Sequence, residues 1–195
     1  MKRRDRGLTL IEILVGIIMM GFIGAGLVVL LGRAYESQYM LLGQNGSNAN
    51  ARQAVDLIED GWSASGVTYP GLRGATALAN GTNASDLRYT CTDSAGTSHT
   101  VRYVAYNGNL IRCLDGVLPV NGKSVVQNVT SLTLSYYNWN GTSWDAPVSI
   151  PAAPASIGAV CVQAGASLKG QNRTVQGIAR LRGQRCTITA SGKVF

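Results

Sequence analysis

The feature that most constrains this chain is a run of 19 residues, Ile13 to Leu31, with no charge and no strongly polar side chain. As a helix rising about 1.5 Å per residue it spans roughly 28 Å, close to the hydrocarbon thickness of a bilayer. Its flanks are ordered. Four of the five residues from Lys2 to Arg6 are basic, Gly7 follows them, Glu12 stands five positions after Gly7, and Arg33 closes the run. The basic cluster sets the N-terminus in the cytoplasm and the remainder outside, by the positive-inside bias. A secretory signal peptide would have a shorter apolar core, about 7–15 residues, ending in small residues. A lipoprotein would need a cysteine at its cut, and the first cysteine is Cys91.

Glu12 is the costly residue. A carboxylate near the bilayer centre costs on the order of 2.5–3.5 kcal/mol, somewhat less near the boundary, and such groups usually have a partner. The alternative is a signal anchor whose Glu12 sits at the headgroup level.

Gly7-Leu8-Thr9-Leu10-Ile11-Glu12, with its basic leader and apolar run, resembles the N-terminal segment of class III precursors: type IV pilins, type II secretion pseudopilins and competence pseudopilins. The resemblance implies cleavage after Gly7 by a prepilin peptidase and N-methylation of Leu8, with Glu12 becoming the fifth mature residue and able to pair with the new cationic amine of Leu8 on a neighbouring subunit. Leu8 replaces the more common Phe. Val29 stands where many major pilins carry a helix-loosening proline. Any loosening would have to come from Gly21, Gly24, Gly26 and Gly32, since glycine costs roughly 1 kcal/mol per helical position against alanine.

The leader holds four of the 17 basic residues and one of the 10 acidic ones, so its removal lowers the net charge from +7 to +4. Much of the basicity is topology signal, and it does not argue for nucleic acid. Beyond one span there is room for one modest globular domain. Cys91, Cys113, Cys161 and Cys186 all fall in the exported part, where an even count points to two disulfides. A structural zinc site is disfavoured by the lack of any C-x-x-C pair and by a single histidine, His99. In a simple meander over Leu87–Leu114, Cys91 and Cys113 would lie about 9.5 Å apart. That exceeds the roughly 7 Å limit for a bridge, so bonding them needs another strand order or an irregular first segment. The expectation carried forward, among the three pairings, is still Cys91–Cys113 with Cys161–Cys186.

Along the chain, Ala51, Val55, Ile58 and Trp62 recur at helical spacing, one face of an amphipathic helix, with Arg52, Asp56, Glu59 and Asp60 expected in solvent. Between them and the apolar run, Gly43-Gln-Asn-Gly-Ser-Asn-Ala-Asn50 is poor helix material, and periodicity leaves open a break near Gly46. The family resemblance implies one helix from about Leu8 to Trp62, roughly 80 Å long. Ser63–Ser85 reads as a loop. Strands are expected at Leu87–Thr92, Thr100–Tyr106, Asn109–Leu114, Val125–Val129, Ser131–Asn138, Ile157–Val162 and Cys186–Thr189, with hairpin turns at Asp93–Thr97, Asn107-Gly108 and Asn140-Gly141. The fold class is α+β: a long N-terminal helix against an antiparallel sheet of five to seven strands. The expected divisions are 1–7 leader, 8–32 transmembrane helix, 33–62 amphipathic continuation and 63–195 extracytoplasmic β-rich domain. Within the last, the order of strands over Arg102–Val162 resembles W-type minor pilins and J-type minor pseudopilins, which implies a minor subunit at or near a filament tip.

No catalytic constellation appears. Gly122-Lys123-Ser124 lacks the glycine a phosphate loop requires, since position 117 is Val. His99, in a Thr/Ser-rich strand edge, reads as a surface or hairpin residue. No cofactor is implied. Lys169, Arg173, Arg180, Arg182, Arg185 and Lys193 lie in an acid-free C-terminal portion. If gathered on one face they would suit phosphates, as in a DNA-binding tip subunit of an uptake filament. The expected function is therefore a structural one, a minor pilin or pseudopilin. Its implied partners are other pilins, prepilin peptidase and the inner-membrane assembly platform. The rivals are the DNA-binding subunit and a membrane anchor that never assembles.

Overall fold

The computed structural model describes residues 9–116, 122–138, 143–151 and 156–181. Helix α1 runs Leu10–Asp60 and packs against antiparallel sheets, an α+β arrangement. The chain forms two compact units, Met1–Leu42 and Gly43–Phe195, so the division falls within α1. In the first unit, every described helical residue is exposed.

In the second unit the Gly43–Asn50 stretch is helical without a break. Tertiary packing overrides its weak propensity. Strands β9 (Ile157–Leu168) and β10 (Gln171–Arg180) meet at a Lys169-Gly170 turn that crosses the helix here. A side chain at Gly46 would collide with Leu168 Cδ2, and one at Gly43 would sit 3.0 Å from the Leu168 carbonyl oxygen. The Ser47 hydroxyl lies 2.6 Å from the Gln171 carbonyl and 2.8 Å from that of Gly43, and it accepts the Leu168 N–H at 3.0 Å. Residues that look like helix breakers are the ones small enough for this crossing.

Further along, Ala51, Ala54, Val55 and Ile58 are buried, as the periodicity predicts. Gly61, at φ +89°, ends the helix in the left-handed conformation common at C-termini. Trp62 therefore lies outside it, on the first strand. Glu59 departs from expectation: it is buried, not solvated. The last turn carries no basic residue to answer the helix dipole. Arg73 supplies that charge from a short 3-10 turn (Leu72–Gly74), donating to Glu59 Oε2 at 2.7 Å and Asp60 Oδ1 at 2.8 Å. Burial still raises the Glu59 carboxyl above its ordinary range, with Arg73 opposing.

Ten strands form three sheets among the described residues, where a single sheet of five to seven strands was expected. β1 (Gly61–Ala64) and β2 (Val67–Pro70) make a hairpin, and β3 (Ala75–Leu78) also falls in the stretch expected to be a loop. The five-stranded sheet has the order β3-β4-β5-β6-β7, with β4 Asp86–Thr92, β5 Ser98–Tyr106, β6 Asn109–Leu114 and β7 Lys123–Gln127. Asn107 and Gly108 both take positive φ in the predicted β5–β6 turn. The chain then passes Asn128 into β8 (Val129–Asn138), and the second sheet has the order β10-β9-β8. Cys186–Thr189 and Asn140-Gly141 lie outside the described residues.

The core joins Ala54, Val55 and Ile58 of the helix to Leu87, Tyr89, Val101 and Tyr103 of the larger sheet and Leu134, Tyr136, Val160 and Val162 of the smaller. Three buried tyrosines satisfy their hydroxyls on main-chain carbonyls: Tyr103 on Leu57, Tyr89 on Pro70 and Tyr136 on Asn83.

The expected Cys91–Cys113 disulfide is absent. β4, β5 and β6 form the simple meander, Cys91 standing opposite His99 and Cys113 opposite Arg102. Positions 99 and 102 of β5 point to opposite faces, so the two thiols are separated by both a strand and the sheet itself. Cys91, Cys113 and Cys161 are free and buried. Cys186 lies outside the described residues.

On β10, a side chain at Gly177 would collide with Glu59 Oε1 and crowd Val55 Cγ1. Gly177→Ala is expected to lower stability by about 1–3 kcal/mol, the range for overpacking a core contact. Denaturant titration of the full chain in detergent checks this; an unchanged midpoint would show that the close helix–β10 approach is not a constraint.

Candidate assembly site at the start of the helix

The helix begins with a reciprocal cap. Thr9 is the residue before Leu10, and its carbonyl accepts the N–H groups of Glu12 at 3.0 Å and Ile13 at 3.3 Å. Its hydroxyl lies 3.4 Å from the Glu12 N–H as acceptor. Glu12 reaches back: Oε2 accepts from the Thr9 N–H at 2.9 Å and from the Thr9 hydroxyl at 3.0 Å. This is the capping box, in which residues three apart satisfy each other's unpaired groups at a helix start. A negative charge in the first turn also complements the helix dipole. Thr9 is absent from the expected site, although the Thr9-x-x-Glu12 spacing is the signal that reveals it.

Both of these contacts fall on Oε2, so among the described residues Oε1 is open to another donor. Glu12 is exposed, as are the large apolar residues after it, Phe22 at 74% and Ile23 at 69% among them. α1 is long and apolar enough to cross a membrane. Gly7 and Leu8, the expected cleavage and methylation positions, lie outside the described residues.

The C-terminal cations do not converge as far as they are described. Lys169 is in the β9–β10 turn, and Arg173 and Arg180 lie seven residues apart on β10, on opposite faces of the strand and roughly 23 Å apart. Arg173 donates to Gln44 Oε1 at 2.7 Å. Arg182, Arg185 and Lys193 lie outside the described residues. No group of three described His, Cys, Asp or Glu side chains could hold a metal ion. His99, expected as a surface or hairpin residue, stands on β5 just after the β4–β5 turn, half-buried between Asp93 and Asp115.

Residues 2–28 match the family described as the prokaryotic N-terminal methylation motif. No curated protein matches the chain. The matched segment contains the basic leader, Gly7, the Thr9–Glu12 cap and most of the apolar run.

Removing a capping hydroxyl costs about 0.5–2 kcal/mol of helix stability. Thr9→Ala should therefore speed amide exchange at Glu12 and Ile13 in detergent while leaving Ala54–Ile58 unchanged. Equal exchange in both proteins would show that Thr9 does not hold Glu12.

Proposed function

We propose that this chain, whose N-terminal segment matches the prokaryotic N-terminal methylation motif and resembles that of type IV pilins and pseudopilins, is a minor structural subunit of a type IV pilus or a type II secretion-like pseudopilus. The observation that carries the reading is the coincidence of the methylation motif over residues 2–28 with an apolar helix exposed along its first part. In this reading prepilin peptidase cuts after Gly7 and the amine of Leu8 is methylated. Residues 8–32 hold the subunit in the inner membrane with the N-terminus in the cytoplasm, and the β-rich part stands outside. The assembly platform then transfers the helix from lipid into the filament.

Glu12 gives that transfer its selectivity. Lipid tails are as apolar as leucine, so moving an apolar helix from lipid to a helix bundle gains little from the hydrophobic effect; packing and polar pairs decide it. The capped carboxylate sits three residues past Thr9, close in sequence to the amine that cleavage at Gly7 would create. Pairing with the corresponding amine of a neighbouring subunit offsets the cost of a charge in the membrane. The glycines of the run fit the same picture: a side chain at Gly16, Gly21, Gly24, Gly26 or Gly32 would meet nothing within this chain. Small residues of this kind let neighbouring helices approach closely in a membrane.

Mass spectrometry of the protein isolated from cells tests the reading. The expected N-terminus is N-methylated Leu8. An intact Met1 would instead identify a membrane anchor outside the filament pathway.

A further inference from the structure

His99 is held in an arrangement that a neutral histidine cannot satisfy. It stands opposite Cys91, at the edge of the helix-facing side of the five-stranded sheet. Nε2 lies 3.1 Å from Asp93 Oδ2, and Nδ1 is hydrogen-bonded to Asp115 Oδ2. A neutral imidazole has one N–H, so one of its nitrogens would turn a lone pair toward a carboxylate; only the imidazolium donates to both. The two carboxylates belong to different segments. Asp93 opens the β4–β5 turn, its Oδ1 accepting from the N–H groups of Ala95 and Thr97. Asp115 follows β6 in a left-handed conformation, φ +48°, and its Oδ1 accepts from the Thr100 N–H at 2.6 Å.

A third element is tied to the same point. Tyr69 of β2 meets the His99 ring edge-on at 5.4 Å, and Thr68 exchanges hydrogen bonds with Ser94 in the β4–β5 turn. Beyond Tyr69 the row continues through the stacked Trp62 ring to the Arg112 guanidinium, 3.7 Å above that ring. The groups facing His99 are thus two carboxylates, the Tyr69 ring and, from β4, the buried Cys91 thiol. The nearest cation in the row is Arg112, beyond two aromatic rings.

We infer that His99 is a proton-operated latch: protonated, it fastens the β4–β5 turn, the end of β6 and the β1–β2 hairpin together; deprotonated, it releases them. The signs agree. The hydrogen bond to Asp115 raises the imidazole above its ordinary value of 6.5, with burial opposing and Asp93 adding to the rise. That stabilisation is present below 6.5 and is lost as pH climbs through the raised value. Asp93 is lowered from 3.8, first by the Thr97 N–H. Asp115 is lowered too, its bonds to His99 and Thr100 outweighing the upward push of burial. Their contribution is present above 3.8 and is lost only as pH falls through the lower values. The latch is therefore closed in mildly acidic surroundings and opens on the alkaline side.

The test is amide exchange by mass spectrometry on the full chain in detergent with a chelator, at about pH 5.5 and about pH 8.5, corrected for intrinsic rates. Strands β8 and β9 serve as the internal reference. The expected result is a several-fold loss of protection at pH 8.5 over Ser94–Thr97, Thr100 and Thr68–Tyr69, with the reference unchanged. His99→Gln and Asp115→Asn should each show the open pattern at both pH values. Equal protection of the natural chain at the two pH values would overturn the inference even if a variant fails to fold. So would a pH response that survives His99→Gln, or one that appears only when zinc replaces the chelator.

Discussion

Burial of the side chains from Ile13 to Leu31 is the constraint from which the remainder follows. Within a single chain these residues stay exposed. Each large aliphatic or aromatic side chain is worth about 1.5–3 kcal/mol once removed from water. A chain of this kind therefore needs lipid, neighbouring helices, or each in turn. The Thr9–Glu12 cap fixes where the helix begins and holds the carboxylate that precedes the apolar run in the first turn. In the proposed assembly, that acid serves to choose a partner and contributes little to anchoring.

The second unit solves a different problem with the same helix. From Gly43 onward the apolar face is narrow and two sheets close over it. Close approach is obtained by removing side chains. Gly43, Gly46 and Ser47 admit the β9–β10 turn, and Gly177 makes room for Glu59 and Val55. Glu59 is the electrostatic counterpart, a buried acid at the negative end of a helix. It is tolerated because Arg73 reaches it from the segment after the β1–β2 hairpin.

Much of this was legible in the sequence. The apolar run, the buried Ala51–Val55–Ile58 face, the three strands between Leu87 and Leu114 and the Asn107-Gly108 turn follow from periodicity and turn chemistry, whereas the continuity of the helix through Gly43–Asn50 followed only from the family resemblance. β1, β2 and β3 have four residues each, too short for alternation to register. β10 hides because its helix-facing side carries Val175, Gly177 and Ala179, small residues that do not read as a core strand. The cysteines are instructive: the meander geometry forbids the Cys91–Cys113 bond, and the preference for pairing every exported thiol pointed the other way. Glu59 reads as solvated because it stands with Asp56 and Asp60 off the Ala51–Val55–Ile58 stripe, and Arg73 stands in a stretch with no pattern. The Asp93–His99–Asp115 grouping depends on a left-handed turn at Asp115 that residue type alone does not announce.

In the proposed assembly the acid at the head of the apolar helix selects neighbours and is not needed for anchoring. Replacing Glu12 with valine and then measuring the protein in both the membrane and the sheared filament fraction tests it most directly. An undiminished membrane pool and a filament fraction emptied of this subunit are expected. Filaments that take up the variant as readily as the natural chain would contradict it.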